Sequence, residues 1–279
     1  MRIRKRTLPS GWYPVDERSV RQRIDEYLAA FPEPEKRAAV AGIAPHAGWD
    51  FSGALACEVF RRIPESIRTV VVVGGHLGQD DGIVGAIEDG YETPMGPLEA
   101  DLELLETLRE RIPVDPDRAP DNTVEIQLPF LRALLPGVKA LSLRAPPSQT
   151  AVDLGKELAA VQDRTGARIA VVGSTDLTHY GPNYGFLSAG HGDQARSWVR
   201  ETNDRRIIES LLSMDCQEAI RRSIAERSAC SAGGAVAAAS FAHACGVAAG
   251  ALLRYTTSYA VHPSESFVGY AAILYAKNA

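Results

Sequence analysis

Four valines in a row, Val70 to Val73, run into Gly74-Gly75-His76, and two further short apolar runs end in a similar way. Val40-Ala41-Gly42-Ile43 leads into Pro45-His46-Ala47-Gly48. Ile169-Ala170-Val171-Val172-Gly173 leads into Ser174-Thr175-Asp176-Leu177-Thr178-His179-Tyr180. Short runs this rich in β-branched residues, without polar alternation, read as strands buried on both faces, the environment of a parallel sheet covered by helices. Such sheets collect ligands in the crevice beyond the carboxyl ends of their strands. Three imidazoles at three such ends can converge on one point, and imidazole is the commonest metal ligand among side chains. The pattern points to an α/β fold with a metal site at one end of its sheet.

Strand signals fall near 40–43, 69–73, 82–87, 138–143, 168–172, 249–255 and 267–274. Helical spacing appears between them, in Val20, Ile24, Tyr27 and Leu28, in Leu102, Leu105 and Leu108, and in Leu154, Leu158 and Val161. The stretch from Asp193 to Ile224 reads as mostly helical, with Asn203-Asp204 opening its second part, and the Ala-rich, nearly uncharged stretch Gly233 to Cys245 as a buried helix. With no repeat, low-complexity tract or linker, residues 1–279 are expected to form a single-domain α/β sandwich, a mixed central sheet flanked by helices.

A net charge of −5 and a pI near 5.7 argue against nucleic acid as a partner, since a phosphate-binding face needs a basic excess. No apolar run approaches the roughly 18 residues that span a bilayer. The basic arm Arg2-Ile3-Arg4-Lys5-Arg6 runs into Thr7-Leu8-Pro9-Ser10-Gly11 rather than an apolar signal core. Four irregularly spaced cysteines form neither a disulfide framework nor a zinc knuckle, so a cytoplasmic protein with free thiols is expected.

Each chemical signal also has a plainer reading. His46 follows Pro45, which fixes the entry dihedral, and precedes Gly48, which lets backbone approach a ligand; it also fits a loop-bonding histidine. His76 follows two glycines that keep a site uncrowded or merely form a turn. Ser174 or Thr175 can cap a helical turn that sets Asp176 and His179 on one face, where a carboxylate raises the basicity of an imidazole; a capping Asp and a surface His fit as well. Cys230 precedes the Ala-rich helix, whose N-terminus favours the thiolate, although free cysteines are more often packing residues. Cys57, Cys216 and Cys245 are assigned to packing. Glu125 and Gln127 alternate with Val124, Ile126 and Leu128, placing them opposite the apolar set, exposed or in a pocket wall. His191, His243 and His262 belong to no motif and read as structural or exposed.

Taken in order, these segments resemble the Memo family, the AmmeMemoRadiSam system protein B type, relatives of the class III extradiol (LigB-type) dioxygenases. Gly11-Trp12-Tyr13-Pro14 is similar to the family's opening turn, and Pro45-His46-Ala47-Gly48 with Phe51-Ser52-Gly53 to its PHAGY-x-[YF]-SG signature. Gly74-Gly75-His76 is similar to its strand-end G-x-x-H, one residue shorter here. Glu125-Ile126-Gln127-Leu128-Pro129-Phe130 matches E-x-Q-x-PF, and Ser174 to Tyr180 is close to S-x-D-x-[ST]-HY. Cys230 stands at the late cysteine and Val268-Gly269-Tyr270-Ala271-Ala272 at the C-terminal strand. Two positions depart from the pattern. Asn122 stands where the family usually has a histidine, and Ser231-Ala232-Gly233-Gly234 follows the cysteine where the family has glycine and a proline-containing helix start.

The resemblance implies a metal held by His46, His76 and Cys230, where the dioxygenases use two histidines and a glutamate. His179 would be the acid/base group with Asp176 beside it, and Glu125, Asn122 and Trp49 would lie around the substrate. Thiolate in place of carboxylate moves the preference from iron towards copper or zinc, leaving iron and copper ahead of zinc. The leading expectation is a non-haem, dioxygenase-like oxidoreductase acting on a small molecule. Ring cleavage of a catechol is disfavoured because the carboxylate ligand is missing. The alternatives are a non-catalytic module that takes a peptide or ligand in the same cleft, and a zinc-dependent hydrolase. The resemblance also implies a functional association with a radical-SAM protein, and it leaves the oligomeric state open.

Overall fold

A computed structural model describes residues 1–32 and 38–277 of the chain. We number the six long strands in chain order: β1 Ala38–Ala44, β2 Thr69–Gly74, β3 Lys139–Arg144, β4 Ile169–Ser174, β5 Ala251–Thr257 and β6 Phe267–Lys277. Four of them lie side by side and parallel in the order β1, β4, β2, β3. Strand β6 runs antiparallel along β1, and β5 antiparallel along β6. Short strands complete the mixed sheet: His179–Tyr180 on β6, Val84–Gly85 antiparallel on β3, and Asp115–Pro116 beyond it.

The valine run explains the layering. Every residue of β2 is buried, and successive side chains of a strand point to opposite faces. Val71, Val73, Leu141, Leu143 and Val171 join one apolar layer, whereas Val70, Val72, Ala140, Ala170 and Val172 join the other. Helices Gln149–Thr165 and Ala232–Ala244 cover the first layer; Glu17–Ala29, Ala54–Phe60 and Leu128–Leu134 cover the second. The fold is the expected α/β sandwich. Local signals mark its helix ends: the Ser148 side chain caps Gln149–Thr165, and Gly166 ends it at a φ of 72°.

The Ala-rich helix positions the chemistry. Its residues from Ala232 to Ala242 are all buried, and it meets the sheet backbone to backbone. A Cβ on Gly173 of β4 would overlap the Gly234 carbonyl, and one on Gly234 would overlap the carbonyl of Val73. The N-terminus of this helix therefore sits over the carboxyl ends of β2 and β4, with Cys230 just upstream.

One expectation needs adjustment. The strand signal at 82–87 yields only Val84–Gly85, because the sheet narrows at this edge to two-residue pairings. The stretch Asp193 to Ile224 is mostly helical, as expected, and its second part opens at Asp204. A widened, π-helical turn at Val199–Asn203 separates Gly192–Trp198 from Asp204–Leu212, and Met214, at a φ of 56°, precedes Cys216–Ala225.

Candidate metal centre

His46, His76 and Cys230 come together beyond the ends of β1, β2 and β4. One ligand atom from each can be chosen so that all three lie within 4.8 Å of one another. The Nε2 of His46 is 3.2 Å from the Cys230 sulfur, and the two imidazole rings meet edge to face with centroids 5.2 Å apart. Ligands about 2.0–2.3 Å from a shared tetrahedral ion stand roughly 3.3–3.6 Å from each other, so no pair needs to close by more than about an ångström. The donor set fits a metal ion.

One nitrogen of each ring already faces an oxygen. His46 Nδ1 faces the Ser174 hydroxyl at 3.3 Å, and Gln127 Nε2 donates to that same oxygen at 3.0 Å and to the Pro45 carbonyl at 2.8 Å. His76 Nδ1 faces the Asp121 carboxylate at 3.1 Å. Metal-binding histidines are usually held this way, with the outer nitrogen donating to an oxygen that fixes the tautomer. Burial opposes ionisation of Asp121, but its hydrogen bonds with His76 and Thr123 outweigh this and hold its pKa below the ordinary value. Behind it stands buried Arg144, 3.5 Å from Asp121 and paired through two nitrogens with Asp117 at 3.0 and 2.7 Å.

Asp176 ties two ligands to one loop. Its carboxylate accepts the backbone N–H of His46 at 2.7 Å, and its carbonyl accepts the N–H of Cys230 at 3.2 Å. Burial raises its pKa to about 6. Burial lowers that of His46 to about 3, with His76 adding to the effect, so the ring is neutral at pH 7 and available as a ligand. The expected thiolate at a helix N-terminus does not follow from the surroundings of Cys230. Burial, reinforced by Asp176, pushes the thiol pKa up, and a coordinated cation is what would favour the thiolate there.

His179 reaches the site differently from the expectation. Thr175 to Thr178 form no helical turn, and His179 opens the short strand on β6. Its Nε2 is buried without a hydrogen-bond partner, and its ring meets Tyr184 edge to face at 4.9 Å. Burial lowers its pKa, against the opposing charge of Asp176. The segment is clamped from behind. Asp204, fully buried, accepts the N–H of Thr178 at 3.1 Å, its hydroxyl, and the Tyr255 hydroxyl at 2.8 Å, while Asn203 donates to the Thr178 hydroxyl at 2.9 Å.

A cleft of about 460 Å³ opens onto this group, with His46, His76, Asn122, Asp176 and His179 in its wall and Trp12, Phe51, Tyr184 and Tyr270 around them. Asn122 donates to the His46 carbonyl at 3.3 Å. Exposed His262 lines the rim, a place its sequence context did not indicate. Trp49 and Glu125 are not part of this lining. The widened turn Trp49–Gly53 directs the Trp49 ring inward, where it stacks on Phe130 at 4.1 Å and donates to the Ile126 carbonyl. Glu125 lies at the end of the short helix Asn122–Glu125, not on a strand, and accepts from Thr7, Leu8 and Tyr13, anchoring the N-terminal segment. Sequence reasoning missed Asp121, Trp12 and Asp204; the one available cue for Asp121 was its fitness as an N-cap ahead of Thr123.

Sequence comparison places this α/β sandwich in a family. The chain matches the Memo-like protein family over residues 4–274 and belongs to that family. A MEMO1 family protein of Methanococcoides burtonii is 29% identical over 279 residues, covering 98% of this chain and 99% of its own length. One from Methanopyrus kandleri is 32% identical over 290 residues, covering 95% of each. Among solved structures, an uncharacterized protein of Escherichia coli K12 superposes on 84% of this chain and 98% of its own at 14% identity, with a TM-score of 0.48.

Proposed function

We propose that this protein is a mononuclear metal protein with oxidoreductase character, its ion held by His46, His76 and Cys230. The observation that carries the reading is the meeting of these three groups, from distant parts of the chain, within 4.8 Å of one another. Two neutral imidazoles and a thiolate suit iron or copper, with zinc third. A bound ion would supply an electrophilic centre with free positions for oxygen species or substrate.

The chain supplies the rest. His179 is neutral at pH 7, and its unpartnered nitrogen is free to take a proton from a group in the cleft and return it, with the Asp176 charge favouring the protonated form. Asn122 braces the His46 carbonyl, and the aromatic walls shed water from a small substrate. The four free cysteines support a cytoplasmic setting. Elemental analysis of protein purified without chelators is expected to find about one ion per chain, lost in His76→Ala. Metal-free protein together with an unchanged His76→Ala variant would end this reading.

The aromatic wall also favours a second reading, a module that binds a peptide or small molecule without turnover. Full affinity for such a partner after metal removal would select it. Anaerobic cleavage of esters or amides would select a zinc hydrolase instead.

A further inference from the structure

We propose that the metal centre has a second mouth on its sulfur side, distinct from the histidine cleft, and that this mouth admits small anions. The inference rests on the metal reading for its purpose but not for its geometry. Cys230 is partly exposed, yet it is absent from the lining of the cleft that holds His46 and His76. It lines instead a separate cavity of about 280 Å³, together with His179, Tyr184, Ser223, Arg227 and Ala229. The two spaces share His179 and Tyr184 alone, and those rings, in edge-to-face contact at 4.9 Å, form the partition between them.

Arg227 gives this mouth its sign. The residue is held at a φ of 51°, an uncommon conformation for a side chain of its size. Its guanidinium donates to the carbonyls of Tyr184 at 3.0 Å and Gly185 at 3.2 Å, and lies over the Phe186 ring at 4.8 Å. These contacts fix the cation at the rim beside the partition, and its charge is felt at His179. The cavity is smaller than most sites for drug-sized ligands and carries one fixed positive charge. It suits an anion of a few heavy atoms that would approach the ion from the thiolate side while a larger molecule occupies the cleft.

Labelling of Cys230 in metal-free protein, mapped by peptide mass, tests the mouth. The probes are an anionic sulfonatoethyl and a cationic trimethylammonium-ethyl methanethiosulfonate, each rate normalised to that of a free thiol. The anionic probe is expected to be favoured by roughly tenfold, the scale of electrostatic focusing in a charged cleft. Arg227→Gln should abolish the preference and Arg227→Glu invert it. Ala229→Trp, which fills the mouth, should slow both probes, whereas Ser264→Trp in the histidine cleft should slow neither. Slowing by Ser264→Trp with no effect of Ala229→Trp overturns the proposal, as does a probe preference indifferent to Arg227. Elemental analysis judges the metal reading separately, because the labelling is done without an ion.

Discussion

His76 adopts a φ of 59°, a left-handed conformation that few side chains enter, at the point where β2 gives way to the site. Strain of this kind costs on the order of 1 kcal/mol and persists where surrounding contacts impose it. Here one such contact is Asp121, whose carboxylate lies 3.1 Å from the ring Nδ1, and one nitrogen of the same ring lies within 4.8 Å of ligand atoms on Cys230 and His46. Asp121→Asn keeps the shape but removes the charge, and metal affinity is expected to fall about 10- to 100-fold, read by competition with a chelator. The histidines were legible in the sequence because strand-end turns announce themselves through the apolar runs before them. Asp121 was not, since it lies 45 residues from its partner and nothing local marks the pairing.

The elements that hold these residues lend themselves to stability measurements. Gly234 puts the Ala-rich helix against the Val73 carbonyl, so Gly234→Ala forces helix and sheet apart. Overpacking of this kind costs about 1–3 kcal/mol, expected as a lower denaturation midpoint with an unchanged slope. The Asp204 clamp makes a different prediction. Burial raises its carboxyl pKa to about 7 in the folded chain, well above the ordinary carboxylate value of an unfolded one. The folded state thus retains a proton that the unfolded state has released between about pH 4 and 7, and this contribution to stability is complete below that window and lost as pH rises through it. Asp204→Asn should remove this fall, so its stability relative to the native protein should rise across the window, by an amount on the order of a few kcal/mol. A difference flat with pH would refute the assignment. The long strands and the buried helix were readable because period and composition agree at those places. The start of a second helical part at Asn203-Asp204 was readable too, but the widening of the turn before it was not, because an inserted residue in a helical turn leaves no apolar signature, and Trp49 was misplaced because its side-chain direction depends on the widened turn at Trp49–Gly53.

Over the whole molecule, the candidate ligands come from three segments joined only by tertiary structure, so binding of an ion by them would be thermodynamically linked to folding. An ion at about 100 times its dissociation constant adds about 2.7 kcal/mol, a rise of roughly 5–10 °C in Tm, expected for the native chain and absent in His76→Ala. The α/β sandwich could be read from the alternation of strand and helix signals, whereas the second cavity beside Cys230 could not, because it exists only where distant loops abut. Strand β6 has a further role. Its Gly269 exchanges backbone hydrogen bonds with Leu177 and Thr178, fastening the loop that carries Asp176 and His179. A chain emerging from the ribosome holds both histidines long before Cys230 and β6 exist, so the pocket that would receive a cation is finished only after β6 has been made. On the proposed reading, loading would follow folding of that strand, and chelator-resistant metal on a chain cut before Phe267 would contradict that order.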